Sequence, residues 1–240
     1  MIRQLLIAAG GIGSRMSDSM NPLKSKALIR YEGKPLIQYL LESASESGFQ
    51  EFFISVNEHN KKEIESIAQL VGLPFKIKIT TETYRSVPGL FVDDIKERIV
   101  IACGHHFIPS EHFYLLQRAS EKFDSVFSAY LDPPNSYGKN KRILAYDISK
   151  DVRFEMVEIG VDDVPSPHIY TRTPYIVTSD MIKQVKMEGF QKAVGYYAYK
   201  HWENGGKVTA IESKMPPEFD FDPEFERTKR YMDKYFGGPN

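Results

Sequence analysis

Apolar and polar positions in the first half of the chain fall into alternating short and long blocks. Leu5 to Ala9, Glu51 to Val56, Pro74 to Ile79, Arg98 to Cys103 and Ser125 to Leu131 have the length and apolar content of strands. Between them run segments with helical spacing. Pro35 to Ser47 places Leu36, Leu40 and Leu41 on one face, has Pro35 in its first turn and stops at Gly48. Asn60 to Val71 reads as a helix opened by an asparagine cap, and Ser110 to Lys122 as one opened by a serine cap. The run from Ile99 to Cys103 is continuously apolar, which suits a strand covered on both faces. Strand and helix alternating in this way predict a three-layer α/β/α fold with a mostly parallel, Rossmann-like sheet. After Asp132-Pro133-Pro134-Asn135 the pattern shifts. Arg142 to Asp147, Arg153 to Ile159 and His168 to Val177 read as strands; Met181 to Met187 and Phe190 to Glu203 read as helices. Gly205-Gly206 breaks the second helix, Lys207 to Glu212 is a further strand, and Pro223 to Phe236 is a closing helix capped by Asp222, followed by a frayed tail.

Composition narrows the partners. The chain has 240 residues, 42% apolar and 26% charged, ordinary for one globular domain. A formal net charge of −1 gives no polyanion-binding surface, so nucleic acid is not expected as a partner. Cys103 is the single cysteine; it excludes internal disulfides and cysteine-cluster metal sites and fits a reducing cytoplasm. No apolar run is long enough to span a bilayer, and the first residues do not resemble a signal peptide. The expected location is cytoplasmic, with no membrane partner and with homo-oligomerisation left open.

The first predicted strand runs into Gly10-Gly11-Ile12-Gly13-Ser14-Arg15-Met16. Gly10, Gly11 and Gly13 let the backbone take positive φ and approach a ligand closely. Successive N–H groups in such a turn make an anion-holding concavity, and Arg15 adds a planar fork of donors for phosphate oxygens. These features point to a nucleoside triphosphate. Ser14-Arg15 after Gly13 does not fit the P-loop, and Met16 replaces the last glycine of the dinucleotide fingerprint. Read alone, the cluster is equally a tight turn with a surface arginine.

Lys26-Ala27-Leu28-Ile29 and Gly33-Lys34-Pro35-Leu36-Ile37 follow. Together with the glycine turn they resemble the nucleotidyltransferases that make activated sugars and alcohols. That group includes sugar-1-phosphate nucleotidyltransferases, phosphocholine cytidylyltransferases and molybdopterin guanylyltransferases. The resemblance implies a fold of the nucleotide-diphospho-sugar transferase type spanning residues 1–240. Residues 1–132 would be a nucleotide-binding half, and 133–240 an acceptor-binding half with the closing helix. It implies transfer of NMP from an NTP to a phosphorylated acceptor, a sugar-1-phosphate or similar alcohol, with release of pyrophosphate. Arg15 and Lys26 take the catalytic, triphosphate-clamping roles. Ala8, Ala9, Gly10, Gly11, Gly13, Ser14, Glu82, Gly89 and Gly104 join them around the nucleotide. Ser25 stands where the family usually has proline. Lys34 is read as a ligand contact or a solvated lysine.

A second departure lies at Gly104-His105, where most of the family has Gly-Asp and the aspartate holds Mg²⁺. Imidazole suits softer ions than Mg²⁺ does. Four readings stay open: a preference for Mn²⁺ or Co²⁺ over Mg²⁺, a site with a single protein carboxylate, binding without turnover, or a structural histidine. The other metal carboxylate is expected at Asp220, in Phe219-Asp220-Phe221-Asp222-Pro223, with Asp222 as the helix cap. The nucleobase loop is expected at Glu82 to Gly89, with Arg85 read as a phosphate or acceptor contact or as an exposed charge. The acceptor region lacks the family's usual lysine at Gly160 to Pro165, and Tyr137-Gly138-Lys139 with Lys141-Arg142 offers either substitute charge or a solvated hairpin. These departures favour a second reading, a non-catalytic nucleotide or nucleotide-sugar binding homologue that acts through a partner subunit.

Overall fold

The computed structural model describes residues 2–80, 87–130, 141–147, 154–159, 168–187, 194–213, 215 and 222–237. The strands are β1 (Gln4–Ala8), β2 (Arg30–Tyr31), β3 (Lys34–Pro35), β4 (Glu51–Val56), β5 (Phe75–Ile79), β6 (Arg98–Cys103), β7 (Ser125–Tyr130), β8 (Lys141–Asp147), β9 (Phe154–Ile159), β10 (His168–Thr178) and β11 (Val208–Glu212). The helices are α1 (Leu36–Glu46), α2 (Lys61–Val71), α3 (Val87–Leu90), α4 (Ser110–Ala119), α5 (Ser179–Met187), α6 (Val194–Glu203) and α7 (Asp222–Tyr235), with a 3-10 turn at Lys26–Leu28.

The sheet runs β11-β7-β10-β6-β1-β4-β5, and β8 and β9 extend it as a hairpin beside the start of β10. β1 pairs in parallel with both β4 and β6, β4 with β5, and β7 with β11. β10 is inserted antiparallel between β6 and β7. The mostly parallel three-layer fold is therefore present.

Alternation along the strands sorts the two cores. Leu5, Ile7, Phe52, Ile54, Val100 and Ala102 pack with α1, α2 and α4 on one face. Leu6, Ala8, Phe53, Ile99 and Ile101 pack with α3, α5 and α6 on the other. Neighbouring residues of β1 and β6 are thus buried on opposite sides, which is why both read as unbroken apolar runs. A third cluster, Met16, Ile29, Tyr31, Leu36, Tyr39, Phe107, Phe225 and Met232, seats α7 against the chain around Lys26–Leu28.

Several helix starts differ from the sequence expectation. α1 and α4 begin one residue after an extended proline, Pro35 and Pro109, so Ser110 is the first helical residue of α4 rather than its cap. The asparagine opening α2 makes no side-chain cap of its own. That work passes to Asn57, described below. The β2–β3 hairpin was not expected. It turns through Glu32 and Gly33, both at positive φ (47° and 75°), the signature of a tight two-residue hairpin loop.

His112 on α4 is buried, and its Nε2 lies 2.8 Å from Ser128 Oγ. Ser128 Oγ donates its own hydrogen to Pro174 O at 2.5 Å, so Nε2 carries the imidazole proton. Burial pushes the imidazole down from its ordinary 6.5 to about 4. The unfolded chain takes up this proton near the ordinary value; the folded chain resists until about 4. The neutral ring's contribution is therefore complete above 6.5 and lost as pH falls toward 4, a change of about 3 kcal/mol. Urea unfolding of wild type and His112→Gln across that window checks this. The glutamine amide keeps a donor for Ser128, so equal pH slopes in the two proteins would refute the assignment.

Candidate functional site

The carboxyl ends of β1, β4 and β6 meet at the glycine turn, the place where open α/β sheets bind ligands. Beyond Ala9 the loop carbonyls are held from below by buried carboxamides. Asn60 Nδ2 donates to Ala9 O at 2.8 Å, Asn57 Nδ2 to Gly10 O at 3.0 Å, and Asn21 Nδ2 to Ile12 O at 2.8 Å. A trans peptide is planar, with its C=O and the following N–H pointing opposite ways. Fixing these three carbonyls therefore directs the N–H groups of Gly10, Gly11 and Gly13 away from the carboxamides. The donors face outward over an exposed loop, the arrangement an anion requires.

Of the three glycines only Gly13 is left-handed, with φ 62°. A Cβ there would also fall 2.7 Å from Asn21 Nδ2 and 2.8 Å from Lys26 Cγ. The Lys26 stem thus runs directly against Gly13, so the structure brings together the two motifs that lie apart in sequence. Lys26 begins the 3-10 turn and is 8% exposed. Its neighbour Ser25 is fixed by its N–H to Asn21 Oδ1 (2.7 Å) and by Asn60 Nδ2 to its Oγ (2.7 Å). Arg15 and Ser14 lie exposed at the loop's far end. Ser17 N donates to Asp222 Oδ1 at 3.1 Å, which ties the loop to α7. Asp222 therefore accepts from the chain just after the glycine loop.

Small residues let the strand ends close on each other. A Cβ on Gly104 would lie 2.9 Å from Ala9 Cβ and 3.3 Å from Ala27 Cβ. Gly104 N donates to Ala8 O at 2.9 Å. Ala8 and Ala9 are buried, so their size serves this packing. His105 follows half-buried, its ring 4.7 Å from that of His106, and His106 Nδ1 lies 3.1 Å from Thr173 Oγ1. Gly89 is buried in α3. Lys34 is drawn away from the loop: its Nζ lies 2.6 Å from Glu42 Oε2 and 4.1 Å from the Tyr39 ring centroid. Glu82, Arg85, Lys139, Asp220 and Gly160 to Pro165 lie outside the described residues. Among the described residues no three His, Cys, Asp or Glu side chains stand together as a metal cluster.

Sequence reasoning missed Asn21, Asn57 and Asn60. The available signal was the Asn-x-x-Asn spacing after β4, a capping-box distance. Asn57 Oδ1 accepts from Asn60 N and Asn60 Oδ1 from Asn57 N, each at 2.9 Å. Asn57 O also accepts from Lys61 N, so Asn57 is the working cap of α2.

Residues 5–88 match the MobA-like NTP transferase domain. The segment so matched contains the whole glycine loop, Lys26 and all three asparagines. A UTP–glucose-1-phosphate uridylyltransferase of Bacillus subtilis is 29% identical to this chain over 119 residues, 47% of it. The match takes in 39% of that relative, so the chain spans about two fifths of its length. Two solved structures share the fold over almost the whole chain. An inositol-1-phosphate CTP transferase of T. maritima has a TM-score of 0.73 at 16% identity, covering 100% of this chain and 98% of that one. A UDP-glucose pyrophosphorylase complexed with UDP-glucose has a TM-score of 0.70 at 16% identity, covering 99% of each chain. The chain therefore has the fold of these two structures. Among the described residues no helix is long and apolar enough to cross a membrane.

Proposed function

We propose that the chain is a nucleotidyltransferase acting on a phosphorylated small-molecule acceptor, a sugar-1-phosphate or similar alcohol, in the cytoplasm. The observation that carries this reading is the contact between Gly13 and the Lys26 stem beneath three outward-directed glycine N–H groups. An oxygen of the acceptor phosphate attacks the α-phosphorus of the NTP in line. The bond from that phosphorus to the bridging oxygen breaks, and pyrophosphate leaves with the electron pair. This chemistry is positioning and charge neutralisation. The loop N–H groups hold phosphate oxygens, and Arg15 and Lys26 neutralise the departing pyrophosphate. Residues 1–132 serve the nucleotide and 133–240 the acceptor, with Glu82, Gly89 and Gly104 bordering the nucleotide.

A divalent cation supplies positive charge against phosphate oxygens when bound. His105 and Asp220 are the protein groups proposed to hold it. One imidazole with one carboxylate would be a lean set for Mg²⁺, which would need further oxygens from phosphate and water, and it would suit Mn²⁺ or Co²⁺ as well. His105 also favours a second reading, a nucleotide-binding regulatory homologue working through a partner subunit.

Pyrophosphate release, screened over the four NTPs with pooled phosphorylated acceptors under Mg²⁺, Mn²⁺ and Co²⁺, separates the two. Release that needs both an NTP and an acceptor is the expected result. Nucleotide binding without release under any of the three ions supports the regulatory reading, and absence of nucleotide binding overturns both.

A further inference from the structure

We propose that Asn57 and Asn60 are positioning residues that set the polarity of the glycine loop, coupling it to the segment that carries Lys26. The proposal rests on the nucleotide reading above. Each carboxamide oxygen accepts from the other residue's backbone N–H, so both oxygens are engaged in capping α2. Only N–H donors are left to face β1. Asn57 uses one on Gly10 O, and Asn60 divides its two between Ala9 O and Ser25 Oγ. Donors can dock only a carbonyl face. A loop turned over, with oxygens toward the ligand, would leave these buried N–H groups unsatisfied and present negative ends to phosphate.

The chain of bonds continues. Ser25 N donates to Asn21 Oδ1, and Asn21 Nδ2 donates to Ile12 O. One closed circuit therefore runs from Gly10 through Asn57, Asn60, Ser25 and Asn21 back to Ile12, passing the residue next to Lys26. All four side chains are buried: Asn57 8%, Asn60 0%, Ser25 0% and Asn21 2% exposed. Ser25 supplies both an acceptor and an N–H to this circuit. A proline at that position would offer neither.

Asn57→Asp tests the idea with almost no change of shape. The remaining oxygen still accepts from Asn60 N, so the cap of α2 survives. The ionised carboxyl has no hydrogen for Gly10 O and sets charge against it. At pH 8 the dissociation constant for nucleoside triphosphate, measured by titration calorimetry, and its KM are expected to rise about 10- to 100-fold, with kcat changed by less than about threefold. Protonating the introduced carboxyl replaces the lost N–H by an O–H. The variant's deficit relative to wild type, measured at each pH, should therefore shrink on going to pH 5.5, and the Gly10, Gly11 and Gly13 amide resonances of the ligand-free variant should move back toward wild-type positions. An unchanged dissociation constant, or a deficit that does not respond to pH, overturns the proposal. Ser25→Ala is a second probe: it keeps the N–H to Asn21, removes the acceptor for Asn60, and should raise KM by about 3- to 10-fold with no recovery at low pH. If Asn57→Asp does not fold, wild-type KM in Ser25→Ala overturns the proposal. Failure of wild type itself to bind any NTP would refute the nucleotide reading. The resonance shifts in ligand-free protein test the loop polarity independently of that result.

Discussion

Replacing Lys26 by alanine is expected to lower kcat/KM for pyrophosphate release by about 10²- to 10³-fold, the cost of removing one well-placed charged donor from a developing anion. The side chain is 8% exposed, and its stem packs against Gly13, so its head group has little freedom of direction. An ammonium held in that way is organised before the substrate arrives. In the proposed reaction its effect on a departing pyrophosphate would cost no reorganisation. Truncation also removes a buried stem, so Lys26→Met is the control: it keeps the packing and deletes the charge. Both variants should lose rate alike, with the methionine variant melting near wild type. Wild-type turnover in Lys26→Met would show that the ammonium takes no part.

Gly13→Ala is expected to weaken nucleotide binding about a hundredfold, although it adds one methyl group. Two penalties coincide. The φ of 62° is left-handed, which costs a residue with a Cβ about 1–2 kcal/mol. The methyl would also sit 2.7 Å from Asn21 Nδ2 and 2.8 Å from Lys26 Cγ, closer than such atoms approach. Relief must come from moving the loop, Asn21 or Lys26, and each of these belongs to the same site. Misplacing reacting or clamping groups by about 1 Å is enough to cost a factor near 10². Calorimetric titration with NTP, beside a thermal melt, checks the prediction. A variant that melts several degrees lower yet binds with wild-type affinity would assign Gly13 to stability alone. Gly11→Ala is the matched comparison, because a Cβ there meets nothing within 4 Å.

Much of the fold was legible because the forces that define single elements are local. The unbroken apolar run from Ile99, the helical spacing of Leu36, Leu40 and Leu41, and the glycine turn after Ala9 each report their own surroundings within a few residues. The parallel sense of β1, β4, β5 and β6 follows, since alternating strands and helices leave few other arrangements. The glycine turn, Arg15 and Lys26 were visible as residue types at a recognisable spacing. Tertiary structure alone decided what lies across from what. It inserted β10 antiparallel between β6 and β7, a choice fixed by strands distant in sequence. Asn60 read only as a helix start, because a carboxamide near a helix end is commonly a cap, and Asn57 was not singled out at all. Their donors reach Gly10 and Ala9 across 47 and 51 residues only because β4 lies beside β1. The same holds for Asp222, whose oxygen accepts from Ser17 N across 205 residues. A short-range pattern specifies that a donor or acceptor exists. The partner that satisfies it is chosen by which strands become neighbours, and that choice belongs to the packed sheet.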